Sequence, residues 1–309
     1  MKRSKHDAML NGLLHYVEIQ TKITSVFPFL MTLAYLRLNN HTIDPLRSAV
    51  FFAGMFLFDL TATTINNYND TKKNGLELPF PRRKALGITL TLLSLSVGCG
   101  LWLAVLTDIV VLLAGALCFL FGILYSWGPV RLSHGPFGEM ASGFFYGVMI
   151  PFLCFYINDP TALMTVTISM QRISLEINVL PSIGLMLLGI LPFCLTANVM
   201  LANNICDVER DVRVDRYTLA FYLKEKALTL FALLYYATYL SVIVMVVFRF
   251  LTPLSLFLLI TLLPVQRNIR IFAVKQTKEE TFVIAIKNFI LIISVHIALI
   301  CLGILVSVQ

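Results

Sequence analysis

Charge is scarce in this chain: Asp, Glu, Lys and Arg make up 13% of its 309 residues, against 58% hydrophobic residues and a mean hydropathy of +0.83. That scarcity excludes the roughly two soluble domains the length would otherwise suggest, because so much apolar surface needs lipid as its solvent. The alternating pattern of an outer-membrane barrel is also missing, which leaves an all-α polytopic membrane protein. Six cysteines (Cys99, Cys118, Cys154, Cys194, Cys206 and Cys301) include no C-x-x-C pair and lie mostly in apolar runs. Their scatter excludes a disulfide framework or a zinc site and leaves them as small buried hydrophobes. There is no low-complexity segment. The basic start Met1-Lys2-Arg3-Ser4-Lys5 runs into polar sequence with no short apolar core, so no removable signal peptide is expected. The net charge of +7 matters for its placement more than its size, and no nucleic-acid partner is expected.

What is present is a series of apolar stretches of about twenty residues, the length that crosses a hydrocarbon core of roughly 30 Å. Nine are predicted, over residues 23–38, 49–67, 85–106, 109–127, 140–157, 180–203, 227–248, 251–265 and 282–308. The first and eighth are short and depend on neighbours or tilt. With the N-terminus inside, nineteen of the 24 Lys and Arg fall in inner segments. Only Arg37, Arg47, Arg172 and Arg249 fall outside, and Lys287 lies within the ninth stretch. This bias supports an odd number of spans, with the N-terminus and the charged loops cytoplasmic; a bacterial plasma membrane is the expected setting. A single domain over residues 1–309 is expected. The longest outer loop is 158–178, whereas the charged inner loops follow the second and sixth spans, where function is expected to concentrate.

The sixth span closes on Asn203-Asn204-Ile205-Cys206-Asp207-Val208-Glu209-Arg210-Asp211. At about 100° per residue, Thr196, Asn203, Asp207 and Asp211 share one helical stripe. Acids beside hydrocarbon are costly unless they bind something positive, and a hard divalent cation prefers oxygen ligands. The alternative is a solvated helix end. The second span, however, ends Asn66-Asn67-Tyr68-Asn69-Asp70, with Asp59, Thr63, Asn66 and Asp70 on a stripe of their own. Two helices thus bring Asn and Asp to one membrane face, each followed by a basic loop. Asp70, Asp207 and Asp211 would hold Mg2+, which needs only one or two carboxylates where phosphate oxygens supply other ligands. Asn66 and Asn203 would support that shell. Lys72, Lys73, Arg82, Arg83 and Lys84 either neutralise the same anion or mark the inner face. Stabilising a departing diphosphate lowers the barrier to breaking its bond to carbon. A substrate with an anionic head and a long apolar tail would explain the membrane setting.

These residues resemble the UbiA superfamily of intramembrane aromatic prenyltransferases. Asn66 and Asp70 correspond to its N-D-x-x-D motif, and Asp207 and Asp211 to its D-x-x-x-D motif. Residues 203–211 with Arg216-Tyr217-Thr218-Leu219-Ala220 look most like the 1,4-dihydroxy-2-naphthoate polyprenyltransferases of menaquinone synthesis. Tyr125-Ser126-Trp127-Gly128-Pro129, Gly135-Pro136-Phe137-Gly138-Glu139 and Glu18-Ile19-Gln20-Thr21-Lys22 are similar to further segments of that branch. The resemblance implies nine helices around a lipid-open cavity and Mg2+-dependent ionisation of an allylic polyprenyl diphosphate. The resulting cation would attack an aromatic acceptor, with loss of the ring carboxylate in the naphthoate branch. Four positions depart from the family pattern: Asn67 stands in place of Asp, Asn74 in place of a further acid, Glu139 in place of Asp and Asp215 in place of Gly.

Other positions keep two readings each. Lys22 contacts the diphosphate or the acceptor carboxylate, or else snorkels to the interface. Asp59 is a cavity acid or a structural hydrogen-bond partner. Tyr125 shields the cation with its ring face, or belongs to the interfacial belt. Arg131 is an anion contact, His134 a surface residue and His296 a buried, hydrogen-bonded side chain. Pro151, Pro181 and Pro192 are expected at kinks. Rival functions are transfer to another acceptor (4-hydroxybenzoate, or a haem or chlorophyll precursor) and ion-coupled transport, which would put the acids near the midplane.

Overall fold

The computed structural model describes residues 5–71, 78–126 and 131–307. Lys72, Lys73 and Asn74 lie outside them, and so does the side chain of Asp70. In chain order the elements are α1 (Lys5–Tyr16), a 3-10 turn (Ile19–Lys22), α2 (Ile23–Leu38), α3 (Pro45–Asp70), α4 (Arg82–Leu106) and α5 (Ile109–Ser126). After a short 3-10 turn (Leu132–His134) come α6 (Gly138–Phe144), a π-turn (Phe145–Met149), α7 (Ile150–Asn158) and α8 (Pro160–Leu163). A hairpin of β1 (Met164–Ile168) and β2 (Ile173–Ile177) leads to α9 (Val179–Val212), α10 (Leu219–Leu223) and α11 (Lys226–Val247). A 3-10 stretch (Pro253–Thr261) then joins α12 (Leu262–Val274), and α13 (Phe282–Ser307) ends the described chain. The fold is all-α.

Among the described residues, seven helices are long and apolar enough to cross a membrane. They cover seven of the nine expected stretches. The other two fall on α2, with 16 residues, and on the shorter apolar helix Ile109–Tyr125, neither of which belongs to the seven. At 1.5 Å per residue α2 reaches only about 24 Å. The eighth stretch is longer than expected: the 3-10 stretch and α12 form one 22-residue span, Pro253–Val274, so Arg267 and Arg270 ride on helix. The outer loop 158–178 is also corrected. It folds into α8 and an antiparallel hairpin pairing Met164 with Ile177 through to Ile168 with Ile173, as its β-branched, alternating residues favour.

The chain forms two compact units, Met1–Val26 with Ala49–Leu132, and Phe27–Ser48 with Ser133–Gln309. In the first, α1 is tied down by Tyr16, which is 1% exposed and packs with Phe80 and Ala85. Its hydroxyl lies 3.0 Å from Thr89 Oγ1 and donates toward the Thr64 carbonyl at 3.2 Å. Burial raises the pKa of this phenol. Along α3, Phe58 packs on Phe119 of α5, and the Gly54 carbonyl accepts a bond from Ser96 of α4.

In the second unit α9 is the axis. Leu188, Leu191, Leu195 and Leu201 are buried, as are Phe231 and Tyr235 of α11 and Phe289 and Ile292 of α13. Lipid is as apolar as these side chains, so close packing and internal hydrogen bonds must hold the helices together. The tightest approach joins the π-turn to α9: a Cβ on Gly189 would lie 2.1 Å from the Gly147 carbonyl oxygen. Pro151 explains the geometry. It cannot donate to the Gly147 carbonyl one turn back, and Ile150 N–H bonds five residues back to Phe145. Pro192 lies inside α9, as a kink residue would, whereas Pro181 occupies the first turn of α9, where proline needs no kink.

Candidate active site

In the first unit the expected α3 stripe is organised by Lys22. Its ammonium donates to Asp59 Oδ1 at 2.9 Å, to the Asp59 carbonyl at 3.1 Å and to Thr63 Oγ1. Lys22 is buried, and its ammonium is held by partners inside the protein instead of reaching outward as a snorkelling side chain would. Asn66 lies half-buried one turn toward the end of α3. Asn67, the departure from the family acid, donates through Nδ2 to the Tyr16 carbonyl at 3.0 Å and to Glu18 Oε1 at 3.1 Å. The amide serves both acceptors, whereas an aspartate there would set a carboxylate against a carbonyl and a second carboxylate. Arg82 donates to the Tyr68 carbonyl at 2.8 Å and lies over the Tyr68 ring, capping the end of α3. Arg83 is exposed, while Tyr125 and Arg131 are half-buried.

In the second unit, α9 continues past its apolar run because residues 203–211 contain no helix breaker. It therefore carries Asn203, Asp207 and Asp211 one turn apart, as expected. Asp207 Oδ2 accepts from the Lys278 ammonium at 2.7 Å, and the same ammonium donates to Asn203 Oδ1. Asp211 Oδ1 is 3.6 Å from Arg216 Nη1, while Asp211 Oδ2 is buried with no hydrogen-bond partner among the described residues. Arg216 also donates to the Ser133 carbonyl at 3.0 Å and toward Asn204 Oδ1 at 3.4 Å. Asn204 in turn donates to Glu139 Oε1 at 2.8 Å. This chain of contacts through Glu139, Asn204, Arg216 and Asp211 fixes the C-terminal end of α9. The turn after α9 puts Asp215 at φ 56°, in the left-handed region where glycine is favoured and aspartate tolerated. The departure at 215 therefore has a backbone reason.

Sequence reasoning placed the acids but not their partners. Charge placement makes Lys278 one inner-face cation among many, Arg216 also enters through the resemblance, and Asn204 and Glu139 carry no assigned role. The Asn203-Asn204 pair was the available signal, since adjacent residues on a helix must face different neighbours. His296 corrects the expectation of a hydrogen-bonded side chain: it is buried, and neither ring nitrogen has a partner among the described residues.

The donor set fits a hard divalent cation. Two carboxylates and an amide oxygen lie along one helix, one carboxylate oxygen is buried and unpaired, and a positive group already rests on two of the oxygens. Among the described residues no cluster of three or more His, Cys, Asp or Glu could hold a metal by itself.

Residues 25–293 match the UbiA prenyltransferase family. A 136-residue stretch, 44% of this chain, is 31% identical to the 1,4-dihydroxy-2-naphthoate octaprenyltransferase of Bacillus subtilis (strain 168) and spans 38% of that relative's length. The fold is shared with a digeranylgeranylglyceryl phosphate synthase, at TM-score 0.63 and 16% identity over 96% of this chain and 98% of that one. It is shared also with an apo UbiA homologue of Aeropyrum pernix K1, at TM-score 0.62 and 15% identity over 92% and 98%. A UbiA homologue of Archaeoglobus fulgidus bound to GPP and Mg2+ gives TM-score 0.57 and 15% identity over 95% and 99%.

Proposed function

Because the chain belongs to the UbiA prenyltransferase family, we propose that it moves a polyprenyl group from an allylic diphosphate to 1,4-dihydroxy-2-naphthoate, in menaquinone biosynthesis. The observation that carries this reading is the Asn203–Asp207–Asp211 face of α9, with its unpaired buried Asp211 oxygen and its cation already in place. The Archaeoglobus homologue bound to GPP and Mg2+ supports the diphosphate and the metal, and the Bacillus relative supports the acceptor.

In this reading Asp70, Asp207 and Asp211 hold Mg2+, with Asn66 and Asn203 supporting the same oxygen shell. When bound, the ion supplies electrostatic stabilisation of the leaving diphosphate. Lys72, Lys73, Arg82, Arg83 and Arg131 add positive charge for the phosphate oxygens. Lys22 acts through Asp59, keeping the α3 stripe aligned. Tyr125 turns its ring toward the allylic cation, which aromatic faces stabilise and water would quench. Residues 1–309 make a single prenyltransferase domain in this reading, with its charged loops on the cytoplasmic side of a bacterial plasma membrane.

The test is direct. Detergent-purified protein incubated with dihydroxynaphthoate, a polyprenyl diphosphate and Mg2+ should yield a prenylated, decarboxylated lipid detectable by mass spectrometry. Product formed only with 4-hydroxybenzoate or a tetrapyrrole precursor would replace the acceptor, and no product with any acceptor would defeat the reading.

A further inference from the structure

We propose that Lys278 is a tethered cation that competes with a divalent ion for Asn203 and Asp207, and that it turns to the diphosphate once displaced. The inference rests on the functional reading above and adds a residue far from either motif.

Its ammonium donates to Asn203 Oδ1 and to Asp207 Oδ2, the latter at 2.7 Å, and lies 4.8 Å from the Phe282 ring centroid. Those are two of the three side chains, with Asp211, proposed to face the ion from α9. A divalent ion seeks the same oxygens, and two cations cannot share them without strong repulsion. The base of the lysine is pinned while its stem is not. Thr277 N–H donates to Thr281 Oγ1 at 2.8 Å, and Thr281 and Phe282 N–H groups return bonds to the Thr277 carbonyl at 3.1 and 3.0 Å. Lys278 therefore rides a fixed turn at the start of α13 with its side chain 39% exposed. A flexible four-carbon stem lets the ammonium leave the carboxylate yet remain within reach of an anion bound beside it.

Two nearby cations are already committed elsewhere. Lys275 is paired with Glu280 at 2.6 Å, and Arg216 is committed to Ser133, Asn204 and Asp211. In the absence of a divalent ion, Lys278 keeps Asp207 neutralised beside the apolar bundle, where a bare carboxylate is costly. In its presence, the same lysine becomes surplus charge matched to an incoming diphosphate.

Full-length protein in detergent provides the test, with Mn2+ as the probe ion followed by electron paramagnetic resonance. Lys278→Met should bind Mn2+ about tenfold more tightly than wild type, the scale of one charge-assisted contact removed from competition. In wild-type protein, Mn2+ should raise acetylation of Lys278 by a small amine-reactive ester several-fold, and inorganic diphosphate should lower it again. Lys275 labelling should stay constant. Unchanged or weaker Mn2+ binding by a folded Lys278→Met variant overturns the proposal. If that variant does not fold, metal-independent labelling of wild-type Lys278 overturns it equally. Asp207→Asn separates the two layers. If wild type binds Mn2+ and this variant does not, the metal reading stands whatever Lys278 does. If wild type and variant bind Mn2+ alike, the functional reading and the inference fall together.

Discussion

Replacing Lys22 with methionine removes one charge from a pair whose side chains are 4% and 7% exposed. All three ammonium donors have acceptors: Asp59 Oδ1, the Asp59 carbonyl and Thr63 Oγ1. Methionine keeps most of the apolar stem, so the change isolates charge and hydrogen bonding from volume. Breaking one side of a buried pair typically costs about 3–5 kcal/mol, because the remaining charge is left in a low-dielectric setting. An exposed pair would cost below about 1 kcal/mol. The structure therefore predicts a loss in the upper range for Lys22→Met. In the double variant Lys22→Met, Asp59→Leu the pair becomes apolar, and stability should return to within about 1–2 kcal/mol of wild type. Denaturant unfolding in detergent, followed by circular dichroism, gives the full double-mutant cycle. The Michaelis constant for the prenyl diphosphate supplies the second readout. If Lys22 acts through Asp59, the double variant recovers fold together with substrate affinity. A Lys22→Met protein of wild-type stability that has lost only diphosphate affinity would refute this reasoning and return Lys22 to direct substrate contact.

Asp207→Asn should abolish Mg2+-dependent transfer while leaving the unfolding midpoint close to wild type; full turnover would sink the metal assignment. Asn67→Asp should destabilise by about 1–3 kcal/mol, since it loses two donated bonds and sets a carboxylate against Glu18. Adding Glu18→Gln should recover part of that loss in the same melts. Gly189→Ala forces a methyl to 2.1 Å from the Gly147 oxygen, and should cost at least about 3 kcal/mol or prevent folding, visible as aggregation on size exclusion.

Most of the architecture was legible because hydrocarbon imposes a simple rule on composition. The stretch 23–38 coincides with α2, and the stretches 85–106 and 227–248 differ from α4 and α11 only at their ends. The rule weakens where water begins. Residues 203–211 are polar, yet α9 continues through them to Val212, and α3 likewise runs on to Asp70. Hydropathy could not see these extensions, although the helical stripes already presupposed them. The partners of the acids were less accessible still. Lys278 meets Asp207 across 71 positions of sequence, and such a contact depends on helix rotation and on the turn at Thr277. Charge counting made it one of many inner-face cations. The hairpin had a readable signal in Thr165-Val166-Thr167-Ile168 and Ile173-Ser174-Leu175-Glu176-Ile177, but alternation in so short a segment was outweighed by the expectation of a loop.

The backbone contact between Gly147 and Gly189 also sets a direction. Eighteen residues separate Gly189 from Asp207. At 3.6 residues per turn this is about five whole turns, roughly 27 Å along the axis, so the two positions share nearly one azimuth on α9. The Glu139–Asn204 bond grips the same helix near its C-terminal end, against α6 of the same span. Two fixed points on one rod leave it little freedom to roll. The Gly147–Gly189 contact therefore helps to set the direction, around the helix axis, in which the carboxylates of α9 project. A bulkier residue at 189 would therefore strain the setting of the acids without coming near them.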